Sequence, residues 1–218
     1  MNVASLSEML DKHIWPQIHA MMLNDAYFKL MGHARVLTGE FNGPIARLIE
    51  DGYVTFQAIT IRRLCDGRRD VISLRRLLVE AKSNDLVSND QLNDLLQKLD
   101  SCDHICGLVN DYVAHTANPD RKKNITDWNL QVGHLIEAQK AICEVALIFG
   151  RDLLQGRSYV ALIPEPQFDI MQEFRSWVPE ASIKKLWEFW HAHNRTVNAW
   201  ILQAGRVKQT LGRMNAAR

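Results

Sequence analysis

At 218 residues the chain is long enough to bury a core without disulfides or metals, and it fits one domain or one domain with an added helical element. Its 47% hydrophobic and 23% charged residues are ordinary for a soluble globular protein, and a net charge of +1 excludes a global field driving it onto nucleic acid or membrane. Any anion site must therefore be local.

The start, MNVASLSEMLDKH, lacks a basic stretch followed by a continuous apolar run, so no secretory leader is expected. No segment approaches about 18 uncharged apolar residues, so no membrane span and no membrane partner are expected. Ser5 with Glu8 forms a capping-box signal ahead of Leu6, Met9, Leu10 and Ile14. Pro16 interrupts or kinks that helix. The pattern resumes with Ile18, Met21, Met22 and Phe28 and fades by Gly39. FNGP at 41–44 reads as a turn, with Pro44 suited to the first position of a second helix running to Leu64. Gly52 is a weak point within it.

CDGRRD at 65–70 is a loop, and Ser73 can cap a short helix carrying Leu74, Leu77 and Leu78. Ser88 or Asn89 opens the next helix. Its apolar positions Leu92, Leu95, Leu99, Cys102, Cys106, Val109 and Val113 alternate three and four apart, which predicts one buried seam. TANPDRKKN ends it, because the residue before Pro119 is pushed out of helix. Thr126 caps another long helix with a seam through Trp128, Val132, Leu135, Ile142, Ala146, Phe149 and Leu153. The short connection predicts that these two helices pack antiparallel. SYVALIPEP reads as a short strand or a surface loop. A last helix is expected from about Ser182, and the basic, glycine-containing end is expected to fray. The fold expected is all-α: an antiparallel helical bundle over 1–156, then a loop and C-terminal helix over 157–218 that packs on the bundle or forms a dimer arm.

His115 lies late in the first long helix, about 120° around the wheel from Val109, on the flank of the buried stripe. Asp111 is one turn earlier and within reach of it. An imidazole near a helix C-terminus, beside a carboxylate, is suited to proton transfer near neutral pH. The structural reading stands beside this: a histidine at a helix end also serves to cap carbonyls.

VNDYVAHTANPD and the earlier TIRRLCDGRRDVISLRRLL resemble elements of the HEPN superfamily of helical domains, in particular the AbiU-type branch associated with bacterial abortive infection. The likeness spans roughly residues 40–155. It implies an antiparallel helical bundle, commonly paired so that two such elements face one cleft, and hence a homodimer. In active members an arginine and a histidine cut RNA without metal or other cofactor. By position His115 matches the histidine and Asn110 the polar residue after the arginine. The arginine position falls on Val109, a departure from the pattern. On this resemblance His115 transfers the proton, Asp111 orients it and Asn110 assists. A fixed cation is still needed for charge developing on the phosphate, and valine cannot supply it.

Substitute cations for that phosphate are Arg62, Arg63, Arg68, Arg69, Arg75 and Arg76, around one loop and the helix it feeds, where the N-terminus at Ser73 adds backbone donors. The bland alternative pairs them with Asp66, Asp70 and Glu80. Arg121, Lys122 and Lys123 form a second basic patch that could touch an RNA backbone. Cys102, His104 and Cys106 do not make a zinc pattern, because the cysteines lie on an apolar seam and no second pair is present, so no metal is expected. Trp187, Trp190 and Trp200 fit packing better than base stacking, and the same holds for Tyr53 and Tyr112. The four cysteines, Cys65, Cys102, Cys106 and Cys143, fit reduced thiols in a cytoplasm. Three functional expectations follow: a ribonuclease of the abortive-infection type, weakened by Val109; a non-catalytic module binding RNA, a nucleotide or a cognate partner protein; or a helical homodimer whose surface seam serves assembly only.

Overall fold

The computed structural model describes residues 2–39, 43–85, 88–109, 132–155, 161–163 and 169–215, with side-chain surroundings up to residue 201. No strand occurs among them. The helices are α1 (Val3–Met9), α2 (Trp15–Thr38), α3 (Pro44–Cys65), α4 (Leu74–Ser83), α5 (Asn89–Asp100), α6 (Asp103–Leu108), α7 (Val132–Leu147) and α8 (Glu180–Asn215). Two π-helical segments, Leu10–Ile14 and Ile148–Leu153, follow α1 and α7 directly. No helix among the described residues is long and apolar enough to cross a membrane.

The first helix starts earlier than the capping-box signal predicts. Asn2, as good a cap as serine, accepts from the Ser5 N–H at 2.9 Å, and Glu8 pairs with Lys12 in solvent at 2.6 Å. Pro16 does not end the helix. Proline has no N–H for the carbonyl one turn back, and the chain answers by widening the turn before it. Trp15 N–H reaches the Leu10 carbonyl, and the Gln17 side-chain amide donates to the His13 carbonyl at 2.7 Å. The apolar stripe continues through the wide turn, with Leu10, Ile14, Trp15 and Ile18 all buried.

α2 stops at Gly39, whose φ of +72° is the left-handed value that glycine accepts without strain. α3 begins at Pro44 as predicted and holds Gly52 inside it. Ser73 caps α4 by accepting from the Arg76 N–H at 3.0 Å.

The seam expected to run unbroken from Leu92 is broken at Ser101 and Cys102. There the N–H groups bond three residues back, to Lys98 and Leu99. That tighter turn shifts the register, so Ile105 is fully buried and Cys106 only half-buried. Val113, Thr126 and Trp128 lie outside the described residues. In α7 the seam through Leu135, Ile142, Ala146 and Phe149 is buried as predicted, whereas Val132 is 40% exposed. After the π segment the buried position is Leu154 rather than Leu153, because a wide turn inserts a residue into the helical register. Residues 161–163 of SYVALIPEP are irregular, with Leu162 and Ile163 buried, and the rest lie outside the described residues. α8 starts at Glu180 and runs past Gly205 and Gly212 to Asn215. Isolated glycines cost a helix only about 1 kcal/mol each, too little to stop it without a proline.

The chain forms two compact units, residues 1–18 with 54–158 and residues 19–53 with 159–218. In the first unit α1 and its π segment pack on α4, α4 on α5, and α5 on α7. Lys98 on α5 pairs there with Glu144 on α7. Gln57 and Gln139 are fully buried and joined at 3.0 Å. In the second unit α8 packs on the short turn Phe174–Ser176, and Trp190 lies 5.5 Å from the Tyr27 ring.

The two π segments meet within the first unit. An added Cβ on Gly150 would sit 2.8 Å from Leu10 Cδ2. Gly150→Ala is therefore expected to destabilise by about 1 kcal/mol, an overpacking cost of roughly 2 offset by alanine's helix propensity. In a Leu10→Ala background, where the clashing methyl is gone, the same change is expected to stabilise. A double-mutant cycle in urea checks the sign reversal.

Candidate functional site

The loop after α3 is organised by one carboxylate. Asp66 accepts from the backbone N–H of Arg68 at 2.9 Å, the side-chain turn that aspartate favours where a helix ends. The same carboxylate takes Arg68 Nε at 3.1 Å and faces Arg62 Nη1 at 3.8 Å. The Asp66 carbonyl accepts from the Ser73 hydroxyl, which in turn caps α4. Loop and helix start are thus held as one piece, and Arg62 and Arg68 are oriented from a common point.

These groups line a cavity of about 390 Å³ within the first unit, walled by His13, Gln17, Arg62, Arg63, Asp66, Arg68, Val71 and Ile72. Three guanidiniums face one carboxylate, so the cavity is net positive whatever the state of His13. Arg63 is exposed and makes no ion pair among the described residues. Gln17 also lines the cavity, its side-chain amide donating to the His13 carbonyl at 2.7 Å. Ile72, 42% exposed, and half-buried Val71 add an apolar rim. A cavity of this size, with few polar groups and one sign of charge, suits a small anion-bearing ligand.

The six arginines read as one cradle are therefore divided. Arg62, Arg63 and Arg68 come together at the cavity. Arg75 is instead held between Asp100 at 2.7 Å and Asp103 at 2.9 Å, and Arg76 pairs with Glu80 one turn on. Both are consumed by acids that the fold brings beside them. Arg69 is exposed and outside the cavity wall. Ser73 caps α4 as predicted, and its own hydroxyl takes the Arg76 N–H, one of the backbone donors read as suited to an anion. His115, Asn110, Asp111, Arg121, Lys122 and Lys123 lie outside the described residues, as does Tyr112. Val109 is described and is 2% exposed. Among the described residues no group of three or more His, Cys, Asp or Glu is placed to hold a metal. His104 meets the Ser101 carbonyl at 3.3 Å and the His134 ring edge-on at 5.3 Å.

Sequence reasoning did not find His13 or Gln17, because they sit on a helix far from the arginine loop in chain order. It also missed a buried polar set in the second unit. Asp25 is fully buried in an otherwise apolar stretch of α2. It accepts from the Tyr53 hydroxyl at 2.6 Å and Lys29 Nζ at 2.7 Å, with His193 Nε2 at 3.5 Å. The visible signal was a carboxylate among Met21, Met22, Ala26 and Leu30, with a lysine one turn later. Tyr53 also stacks on Phe28 at 3.8 Å, and Trp187 on His191 at 5.4 Å. These contacts make the aromatics packing elements.

No protein-family model matches the sequence, and neither a curated protein nor a solved structure matches it.

Burial pushes the Asp25 carboxyl up, but the nearby His193 ring, the Lys29 charge and the bonds from Lys29 and Tyr53 outweigh it and hold the acid below its ordinary value. A depressed carboxylate contributes stability above the unfolded value, about pH 4, and loses it as pH falls through the folded value. Asp25→Asn is expected to cost about 3 kcal/mol at neutral pH, by leaving Lys29 without its charge partner. The difference from wild type should shrink as the pH drops below about 4. Urea unfolding at several pH values checks both statements.

Proposed function

We propose that this chain is a non-catalytic, phosphate-recognising helical module of the HEPN type, whose ligand is RNA or a nucleotide. The observation that carries the reading is the cavity at the end of α3, where Arg62, Arg63 and Arg68 converge beside His13. Guanidiniums bind phosphate oxygens through paired N–H groups. Val71 and Ile72 offer apolar surface to a ring. A phosphorylated nucleoside presents a partner for both kinds of group.

The burial of Val109 favours binding over cutting. In HEPN ribonucleases the matching position carries the arginine that meets the phosphate. Here it holds a side chain 2% exposed in a helix seam, where a guanidinium would lose its hydration without a partner. The arginines of the α3 loop serve for recognition, and the AbiU-like resemblance supplies the setting, a component of abortive infection acting as a homodimer. The ribonuclease reading keeps its test in His115.

Fluorescence anisotropy with a short labelled single-stranded RNA, and competition by a nucleoside monophosphate, test the proposal. Arg63→Ala is expected to weaken binding about tenfold, the loss of one charged hydrogen-bonding group. Its logarithmic salt slope should fall by about 0.7, one phosphate contact on a single strand. Equal affinity of wild type and Arg63→Ala would overturn the assignment. In a cleavage assay with chelator present, wild type and His115→Ala are expected to stay equally at background. Cleavage by wild type that His115→Ala abolishes would restore the enzyme.

A further inference from the structure

On the reading of the cavity beside Asp66 as a phosphate site, its charge and its extent also select among phosphates. Arg62, Arg63 and Arg68 stand against the single Asp66 carboxylate, a formal surplus of two positive charges. Arg68 meets that carboxylate through Nε at 3.1 Å, which leaves its two Nη groups without a partner among the described residues. Arg63 is exposed at the wall and makes no ion pair with Asp66. Two guanidiniums therefore keep paired N–H donors for a ligand oxygen. An internal phosphate of a strand is a diester with one negative charge. A phosphate ester with a free end carries about two at neutral pH, which matches the surplus.

The positive surface does not continue as a track among the described residues. A single strand is held along its backbone by a groove of cations. Arg75 and Arg76, which would extend the charge along α4, are held by Asp100, Asp103 and Glu80. Arg69 lies outside the cavity wall. Val71 and Ile72 complete part of that wall and offer nothing to a second phosphate. The volume of about 390 Å³ lies near the lower end of small-molecule pockets, which run from about 300 to about 1,000 Å³. It suits one phosphate with its sugar rather than several linked ones.

We propose that the cavity takes a phosphomonoester, the terminal phosphate of an RNA or of a free nucleotide, in preference to the internal diesters of a strand. Arg63, the one of the three arginines that makes no ion pair with Asp66, meets the second charge of the monoester. Arg68 shares its oxygens through the Nη groups. Asp66 holds Arg62 and Arg68 in place and keeps the surplus at two, so that a ligand with one charge leaves the site unbalanced.

The test compares two single-stranded RNAs of one sequence, labelled at the 3′ end, one with a 5′-phosphate and one with a 5′-hydroxyl. By fluorescence anisotropy the full chain is expected to bind the phosphorylated RNA about tenfold more tightly, the gain of one charge-assisted contact. Arg63→Ala should remove most of that preference. Arg69→Ala, an equal loss of charge outside the wall, should keep it. Titration calorimetry with a nucleoside 5′-monophosphate, and with the same nucleoside lacking phosphate, separates the two sources. A monophosphate that binds where neither RNA does assigns the site to free nucleotides, and a preference shown by the RNAs alone assigns it to strand ends. Equal affinity for the two RNAs overturns the preference while phosphate recognition stands. Failure of wild type to bind either RNA or the monophosphate overturns both.

Discussion

The Asp66 carboxylate is the interaction on which the described site depends. It terminates α3 by accepting from the Arg68 N–H, draws in two guanidiniums, and shares its residue with the carbonyl that holds Ser73. Ser73 is fully buried and caps α4, so the loop geometry and the helix start are one hydrogen-bonded object. Charge-assisted bonds from a partly buried carboxylate are stronger than neutral ones, and they keep side chains of high entropy in one arrangement. Without that acid, Arg62 and Arg68 would spread into solvent and the cavity would lose its wall.

A second constraint is the continuity of the apolar stripes. A helix must keep its buried face turned inward over its whole length, or expose apolar area worth about 25 cal/mol per Å². Proline at 16 and a glycine close-packed at 150 each threaten that continuity. The chain solves both with a wide π turn, and the two turns are brought together at Leu10 and Gly150. At Ser101 and Cys102 it solves a similar problem by tightening, which moves Cys106 partly out of the core. That small change of register gives this cysteine its access to solvent.

The second unit shows what a buried charge requires. Asp25 has lost all contact with water, and it remains ionised because a hydroxyl, an ammonium and an imidazole converge on it. Tyr53 contributes both the hydroxyl and a stacked ring, so one side chain serves polar and apolar packing together. Such a set specifies how α2, α3 and α8 align in this unit, since a slip by one residue would strand the carboxylate.

The helical nature of the chain was legible from periodicity alone. Pro44 at a helix start, Ser73 as a cap and the seam from Leu135 to Phe149 are local or periodic features, and local rules govern them. The register after a wide or tight turn was not legible, because a one-residue shift leaves composition and average spacing unchanged. Nor was the sorting of the arginines. Arg63 and Arg75 look alike in sequence, yet one lines a cavity with no ion pair among the described residues and the other is locked between Asp100 and Asp103. By itself the sequence determined that this chain is helical, where most helices begin, and that its cations gather around one loop. Only the tertiary structure decided which arginines are paired with acids and that residues 19–53 join 159–218 in one unit. Those outcomes depend on contacts between residues distant in the chain, whose energies no local pattern encodes.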